Sequence, residues 1–192
     1  SIDTSKAEKL EGVKAIITSA DFEDFPSEFV PNGEMVVNMK DITRNVMARE
    51  KVLYVGHTLA AVAATDEDVA EKALALIDVK YDVLPHVLEV EDAEKSDAPL
   101  LHDDMITIGV EPMPTSASNV AKRVEFGLGD VEKGFSEADL IVEREFTTQQ
   151  VHQGYIEPHA CLASVSEDGQ AELWCTTQGP FVVRNFCSKL LG

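Results

Sequence analysis

The sequence predicts an α+β fold from three observations. Residues 59–64 form a near-continuous apolar run, which is typical of a buried strand. Between Val69 and Ile77, apolar residues recur at helical spacing. Two further apolar runs flank a Glu-Asp-Gly turn at residues 167–169, which is the pattern of a β-hairpin. Strand, helix and hairpin together indicate an α+β arrangement.

The first fifty residues contain one clear strand pattern. We predict a short helix in the first ten residues, capped by Thr4 or Ser5. The β-branched density of residues 13–19 predicts a strand, and a turn of helix and a loop follow it. Residues 27–50 are polar and irregular in pattern, with one possible short strand over residues 34–39.

The clearest unit lies between residues 52 and 84. We predict strands over residues 52–55 and 59–64, joined by a turn in which His57 faces solvent. Thr65, with an acidic residue three positions on, predicts the start of the helix that follows. A strand over residues 79–84 then ends at a proline.

The second half of the chain begins with a stretch of no sustained periodicity. We interpret residues 91–119 as a linker crossing a surface. Residues 121–130 are a strand candidate, and Asp130 caps the helix after it. Residues 139–158 alternate over two strand lengths, and residues 181–191 carry a helical apolar stripe.

Composition excludes several classes of function. The 192 residues include 16 basic and 35 acidic side chains, for a net charge of −19, which would repel nucleic acid. No apolar run approaches the roughly 20 residues that span a bilayer, and no signal segment stands at the start. We therefore expect a cytoplasmic protein without membrane contact.

The cysteines point away from disulfide and cluster chemistry. Cys161, Cys175 and Cys187 form an odd set without a CxxC pair, which agrees with a reducing compartment. An iron–sulfur cluster normally takes four thiolates. Neither a GxGxxG dinucleotide loop nor a GxxxxGK phosphate loop is present.

One group of polar residues has the composition of a zinc site. His152, Glu157, His159 and Cys161 lie close in sequence, with Cys175 across the predicted hairpin. Their spacing matches none of the common finger patterns. The alternative to a zinc site is a set of polar residues at strand ends beside buried, inert thiols. The strand context of Cys175 also argues against its being a nucleophile.

Gln178 is a different kind of candidate. It follows an apolar strand and precedes Gly179, Pro180 and a helix. The carboxyl end of a strand is where side chains project into a cleft from a rigid support. An amide there can donate and accept hydrogen bonds, although it cannot act as a base or nucleophile. Gln178 is therefore either a ligand contact or a plain turn residue.

The order of four motifs resembles the molybdenum hydroxylases, which include xanthine dehydrogenase, aldehyde oxidase and the large subunits of carbon-monoxide and nicotinate dehydrogenases. "VLYVGHTLAAVAATDEDVAEKALALIDVKYDVLP" resembles that family's small α/β hammerhead domain. "NVAKRVEFGLGDVEKGFSEADLIVEREF" resembles the segment that begins its molybdenum-cofactor domain. "GYIEPHACLASV" and "ELWCTTQGPFVVRNFCSKLLG" resemble that domain's first strands and helix.

The resemblance implies a domain plan and a site. It implies an α/β hammerhead domain at residues 1–90, a linker at 91–119, and the incomplete start of a β-rich molybdopterin-binding domain at 120–192. Gln178 matches a glutamine that hydrogen-bonds an oxo ligand of the molybdenum without ligating the metal, and Gly179 would shape the turn around the cofactor. Catalytic residues and metal ligands are not expected, and Glu157 is assigned a structural role.

The resemblance also implies an activity and cofactors. The activity is oxidative hydroxylation of an aldehyde, a purine or another N-heterocycle, with water as the oxygen source. The cofactor is molybdopterin with molybdenum, in the cytosine dinucleotide form that a bacterial-looking sequence favours. Iron–sulfur clusters and FAD are expected only on partner subunits or domains.

The family's Gly-rich "GGGFGGK" segment and its general-base glutamate are absent from these residues. We therefore expect a fragment of the large subunit, inactive and free of bound molybdenum by itself. Its expected partners are the rest of the large subunit and the iron–sulfur and flavin subunits. Self-association through an incomplete domain is a further expectation. The alternatives are a non-catalytic interaction or scaffold domain and a small zinc-binding protein.

Overall fold

A computed structural model of the chain describes residues 1–33 and 35–191. Contacts divide the chain into two units, one formed by Ser1–Asp82 with Ile156–Gly192 and the other by Val83–Tyr155. Both helices and short antiparallel strand pairs occur, which confirms the predicted α+β class. Among the described helices, none combines the length and apolar character needed to cross a membrane.

Within the described residues, eight strands form four separate two-stranded sheets, all antiparallel. The pairs are β1 with β6, β2 with β5, β3 with β4, and β7 with β8. The strands are β1 Ile2–Asp3, β2 Val13–Thr18, β3 Phe29–Asn32, β4 Met35–Asn38, β5 Ala60–Ala64, β6 Asp78–Val79, β7 Cys161–Val165 and β8 Ala171–Cys175.

In residues 1–33 and 35–191, five α-helices accompany these strands, and a 3₁₀ turn over Ser19–Asp21 follows β2. Helices α1, α2 and α5 lie in the first unit, whereas α3 and α4 lie in the second. The helices are α1 Met39–Val46, α2 Glu67–Leu76, α3 Val90–Ala93, α4 Val131–Glu137 and α5 Pro180–Leu191.

The β2–β5 pair and helix α2 form the centre of the first unit. The register runs from Val13 opposite Ala64 to Thr18 opposite Ala60. Four of the five residues of β5 are alanines, so α2 can approach this strand closely, and its Ala73 is fully buried. The strands predicted over residues 13–19 and 59–64 and the helix predicted after Thr65 are therefore confirmed, although β5 alternates between half-buried and exposed residues and is not buried throughout. The helix cap is Asp66 and not Thr65, because the Asp66 carboxylate accepts from the Val69 N–H.

The segment predicted to be irregular contains a hairpin and a helix. β3 and β4 pair from Phe29 opposite Asn38 to Asn32 opposite Met35, and α1 follows directly. The Asn38 side chain caps α1 by accepting from the Lys40 N–H at 3.1 Å. Glu34, the first residue of the strand predicted here, lies outside the described residues.

Several predicted elements are wrong because their backbone groups find other partners. Residues 5–9 form turns after β1, because the bond from the Glu8 N–H to the Thr4 carbonyl at 3.0 Å is followed by a tighter bond from the Leu10 N–H to the Ala7 carbonyl at 3.1 Å. Residues 52–55 are not a strand, since the Leu53 N–H donates to a side chain. The strand predicted over residues 79–84 is reduced to Asp78–Val79, because its partner β1 is two residues long.

The second unit is mostly irregular and is ordered by local hydrogen bonds. The Asn119 amide donates to the carbonyls of Ala93 and Pro99, both at 3.1 Å, and its oxygen accepts from the Leu101 N–H at 3.0 Å. Of the strand predicted over 121–130, the described residues show one isolated bridge, between Ile108 and Lys122. The strands predicted over 139–158 are wrong, because no described strand pairs with this segment.

The C-terminal third of the first unit agrees with prediction. The hairpin β7–β8 has its turn at residues 167–169, as the Glu-Asp-Gly pattern predicts, and α5 covers the predicted helix. In the second unit, Asp130 caps α4 by accepting from the Lys133 N–H at 2.9 Å, which is also as predicted.

Candidate cofactor-contact site

The turn between β8 and α5 is fixed at its first residue. The Thr176 N–H donates to the Ala160 carbonyl at 3.2 Å, and the Thr176 hydroxyl donates to the Pro158 carbonyl at 3.3 Å. Both bonds attach the end of β8 to the segment that leads into β7. The Gly179 N–H then donates to the Thr177 hydroxyl oxygen at 3.0 Å, which closes the turn locally.

Gln178 occupies the middle of this turn and is exposed. Within residues 1–33 and 35–191, its side-chain amide makes no hydrogen bond, whereas the threonines before it are both bonded. Its donor and acceptor groups are therefore available to a molecule outside the chain. A rigid turn presents them, because the flanking backbone is fixed on both sides.

Helix α5 begins immediately after this turn. Pro180 is its first residue, where a missing N–H costs nothing, and the Gly179 carbonyl accepts from the Val183 N–H at 3.1 Å. The N-terminal end of a twelve-residue helix carries partial positive charge. A Cβ on Gly179 would meet Val182 at 3.5 Å, an ordinary van der Waals contact, so this position is not sterically restricted to glycine.

The β3–β4 turn supports the first half of α5. Gly33 has φ +65°, and a Cβ there would lie 3.3 Å from Cγ2 of Val182. Next to it, Oδ1 of Asn32 accepts from the Asn185 amide at 3.2 Å. Asn32 is 2% exposed, and its Nδ2 finds no partner among the described residues. This support was not predicted, although the Asn-Gly dipeptide between apolar runs is a hairpin signal for the β3–β4 turn itself.

The turn of the β7–β8 hairpin is organised around Asp168. Its carboxylate accepts from the Ser166 hydroxyl and the Gln170 N–H, and Gly169 has φ +83°. These bonds favour the charged form, led by the bond from Ser166, and so lower the pKa of Asp168. The turn thereby sets the register that places β8, and with it the Gln178 turn.

The candidate zinc ligands do not converge into a site. No group of three or more His, Cys, Asp or Glu side chains suited to a metal occurs in the described part of the chain. His152 packs against Tyr155 with ring centroids 5.1 Å apart, and its Nδ1 accepts from the Gly154 N–H. Cys161 and Cys175 face each other across the hairpin, and Glu157 is exposed. The zinc interpretation therefore has no ligand set here.

His57 was predicted to face solvent, and this prediction is wrong. The side chain is 5% exposed and stacks on Tyr54 with ring centroids 4.7 Å apart. Its Nδ1 accepts from the Leu53 N–H at 3.2 Å, so the proton lies on Nε2, which donates to the Arg44 carbonyl at 2.8 Å. His57 is a structural residue that joins the end of α1 to the turn before β5.

The chemistry of the Gln178 turn suits an oxygen-rich cofactor. An amide with an unused donor can bond an oxo or phosphate oxygen, and the helix N-terminus beside it favours negative charge. Gly179 has no side chain, so such a group can approach its backbone closely. The turn contains no group able to ligate a metal strongly, so its fit is to the surroundings of a cofactor.

Two family models match successive parts of the chain. Residues 1–85 match the a/b hammerhead domain of aldehyde oxidase and xanthine dehydrogenase. Residues 113–192 match the molybdopterin cofactor-binding domain. The second match contains the β7–β8 hairpin, the Gln178 turn and α5.

Known proteins show the same relationship over the whole chain. The probable hypoxanthine oxidase XdhD of Escherichia coli K12 is 30% identical over 219 residues, which cover 100% of this chain and 22% of that protein. The carbon monoxide dehydrogenase large chain of Afipia carboxidovorans is 33% identical over 200 residues, covering 100% of this chain and 23% of the relative. The chain thus spans about a fifth of the length of these relatives.

A solved structure gives the same result for the fold. The reconstituted CO dehydrogenase from Oligotropha carboxidovorans superposes with a TM-score of 0.76 at 32% identity, covering 98% of this chain and 23% of that one. The hammerhead match, the cofactor-domain match and this superposition agree with one another. The chain therefore belongs to the molybdopterin-binding large subunits of the xanthine dehydrogenase and aldehyde oxidase family.

Proposed function

We propose that this chain forms part of the large subunit of a molybdenum hydroxylase, an oxidoreductase that hydroxylates its substrate with oxygen from water. The observation that carries this proposal is the order of a hammerhead domain and a molybdopterin cofactor-binding domain within one chain. The names of the relatives, a probable hypoxanthine oxidase and a carbon monoxide dehydrogenase, support the reaction class. An aldehyde, a purine or another N-heterocycle is the proposed substrate class.

In this proposal, the Gln178 amide donates to an oxygen of the molybdenum cofactor. Gly179 has no side chain to obstruct a cofactor beside the first turn of α5. When bound, the cofactor supplies the redox chemistry of the hydroxylation. The chain's own residues hold Gln178 in place: Thr176 fixes the end of β8, and Asn32 with Asn185 fixes α5.

We propose three segments for the chain. Residues 1–90 form the hammerhead domain, residues 91–119 a linker, and residues 120–192 the start of the cofactor-binding domain. No catalytic residue is assigned within them, so the isolated chain should be inactive. The exposed, unbonded amide of Gln178 is then the chain's main direct contribution to the site.

The exposed apolar side chains support a further partner. Trp174 of β8 is 54% exposed and Phe181 of α5 is 74% exposed, and Leu162 and Leu191 are also open. Such surfaces are usually covered by another part of a protein. We propose that the remainder of the large subunit covers them, and that the isolated chain self-associates through them instead.

The remaining proposals concern the complete complex. Iron–sulfur clusters and FAD would lie on partner subunits or domains, a proposal supported by the relative named as the large chain of a carbon monoxide dehydrogenase. The cofactor would be the cytosine dinucleotide form of molybdopterin. The proposed location is the cytoplasm.

The test is to purify the native complex that contains this chain. Its molybdenum content and the nucleotide released by acid hydrolysis are measured, together with dye reduction using aldehydes, purines and N-heterocycles. We expect molybdenum near one atom per chain, release of cytidine monophosphate, and turnover of one substrate class. A complex without molybdenum would refute the proposal.

A further inference from the structure

The hairpin brings two of the chain's three cysteines into direct opposition. Cys161, the first residue of β7, is paired with Cys175, the last residue of β8. In an antiparallel ladder, hydrogen-bonded and non-hydrogen-bonded residue pairs alternate. Which kind of pair the two cysteines form decides how close their side chains lie.

The hydrogen bonds at the two ends of the ladder identify the pair. The Thr176 N–H donates to the Ala160 carbonyl at 3.2 Å, so this pair is hydrogen-bonded. At the turn, the Ser166 N–H donates to the Gln170 carbonyl at 2.9 Å, so this pair is hydrogen-bonded too. The two pairs lie an even number of positions apart along the ladder, as the alternation requires. The pair next to Ala160 and Thr176 is therefore non-hydrogen-bonded, and that pair is Cys161 with Cys175.

A non-hydrogen-bonded pair has the geometry that a disulfide requires. Its Cα atoms lie about 4.5 Å apart, and its side chains project from the same face of the sheet. A disulfide accepts Cα separations of about 4.4 to 6.8 Å. The hairpin therefore holds both thiols at bonding range without a change in backbone register.

Both thiols are also free and accessible. Cys161 is exposed and Cys175 is half-buried, and neither is in a disulfide. Cys187, the third cysteine, lies on α5 and has no cysteine opposite it in the β7–β8 register. The paired arrangement is thus specific to the hairpin.

We propose that Cys161 and Cys175 form a redox modification site, at which a small-molecule disulfide converts the two thiols into a cross-strand disulfide. The more exposed Cys161 attacks first as a thiolate, breaks the S–S bond of the small molecule and releases one thiol. Cys175 then attacks the Cys161 sulfur of the mixed disulfide and releases the second thiol. The protein loses two electrons and two protons, and the small-molecule disulfide is reduced to two thiols.

The bond would lock the strand that leads to the Gln178 turn. Cys175 directly precedes Thr176, so the new bond closes a loop across the whole hairpin. Cross-linking restricts the unfolded chain, so the oxidised hairpin should resist unfolding better than the reduced one. This effect does not depend on any cofactor being bound.

The test uses the 192-residue chain treated with oxidised glutathione, followed by alkylation and non-reducing peptide mapping. We expect a peptide pair linked through Cys161 and Cys175, lighter by two hydrogen atoms, while Cys187 is alkylated. Cys187→Ser should leave the link unchanged. Cys161→Ser and Cys175→Ser should each abolish it, with a glutathione adduct remaining on the surviving hairpin cysteine.

A register control separates the hairpin geometry from simple proximity in sequence. The double substitution Cys161→Ser/Ala163→Cys moves the first thiol two residues along the same face, to a diagonal position roughly 7–8 Å from Cys175. This variant should lose the linked peptide while its circular dichroism spectrum stays that of the parent. Absence of the link in the parent chain, or equal linking in the register control, would overturn the proposal.

Discussion

The side-chain amide of Asn185 donates a hydrogen bond of 3.2 Å to Oδ1 of Asn32, and this contact joins α5 to the β3–β4 turn. Asn32 is buried, whereas Asn185 is exposed. The partners therefore respond differently to loss of the bond. If the bond is lost, water can hydrogen-bond the exposed amide of Asn185 in place of Asn32. Water reaches the buried side-chain oxygen of Asn32 less easily.

Asn185→Ala should destabilise the chain more than its exposed position suggests. It leaves Oδ1 of Asn32 buried without a partner, beside an Nδ2 that already lacks one among the described residues. We expect a loss of about 1–3 kcal/mol in the free energy of unfolding, measured by urea denaturation. Lys189→Ala, at an exposed position on the same helix, is the control and should stay within about 0.5 kcal/mol of the parent.

Gly109→Ala should destabilise the second unit. Gly109 has φ +82°, and a Cβ there would collide with the Arg123 carbonyl oxygen. The Arg123 N–H donates to the carbonyl of Ile108, the neighbour of Gly109. The Arg123 backbone is therefore held in place by this hydrogen bond and cannot easily move away from the added Cβ. We expect a loss of at least about 1 kcal/mol by thermal or urea unfolding. Gly127→Ala, with no atom within 4 Å of its Cβ, should be close to neutral, and equal effects would contradict this account.

His57→Ala should reduce stability through its two ring hydrogen bonds. The substitution leaves the Leu53 N–H and the Arg44 carbonyl without their partner. The imidazole ring hydrogen-bonds them at 3.2 Å and 2.8 Å respectively. A loss of about 1–3 kcal/mol in the free energy of unfolding is expected. His86→Ala serves as the matched control because His86 is exposed. If the two substitutions had the same small effect, the structural role of His57 would be wrong.

Asp66 should make the start of α2 sensitive to acid. The Val69 N–H is the main cause that lowers the pKa of this carboxyl, and the Thr65 hydroxyl adds to it. A lowered pKa means that the unfolded state takes up protons first as the pH falls. The stabilisation is therefore complete at neutral pH and is lost as the pH falls below about 4. Helical circular dichroism of the parent and of Asp66→Asn should diverge at pH 7 and converge at acid pH.

The isolated chain should carry no molybdenum. A single amide donor and a helix end do not ligate a metal, and the described residues contain no ligand cluster. Metal analysis of the purified chain from a molybdate-supplemented host should give a content near zero. Near-stoichiometric molybdenum would show that these residues bind the cofactor by themselves.

Local signals in the sequence predicted the elements that hold themselves together. The Glu-Asp-Gly turn at residues 167–169 and the apolar runs around it predict the β7–β8 hairpin, and Asp130 predicts the start of α4. Elements that depend on a partner distant in sequence were either not predicted or predicted to be longer than they are. Residues 139–158 have strand periodicity, but a strand needs a second backbone beside it, and the described chain provides none.

The candidate site shows the same division. The position of Gln178 between a strand and a helix was readable from the sequence, because both flanking elements have strong local patterns. The hydrogen bond between Asn32 and Asn185, which supports α5 after this turn, could not be predicted from the sequence, since the two residues are 153 positions apart. The burial of His57 was not predicted for a similar reason. Its partner Arg44 lies in α1, a helix that the polar sequence of residues 27–50 did not indicate.

The most direct test of the central claim replaces Gln178 in the native complex. Gln178→Ala is compared with Gln150→Ala, which removes an exposed glutamine amide elsewhere in the chain. Molybdenum content, the Mo(V) electron paramagnetic resonance spectrum and kcat are measured for both. The account predicts a changed Mo(V) spectrum and a fall in kcat of roughly 10- to 100-fold for Gln178→Ala alone. Unchanged spectrum and kcat, with molybdenum retained, would contradict a contact between Gln178 and the cofactor.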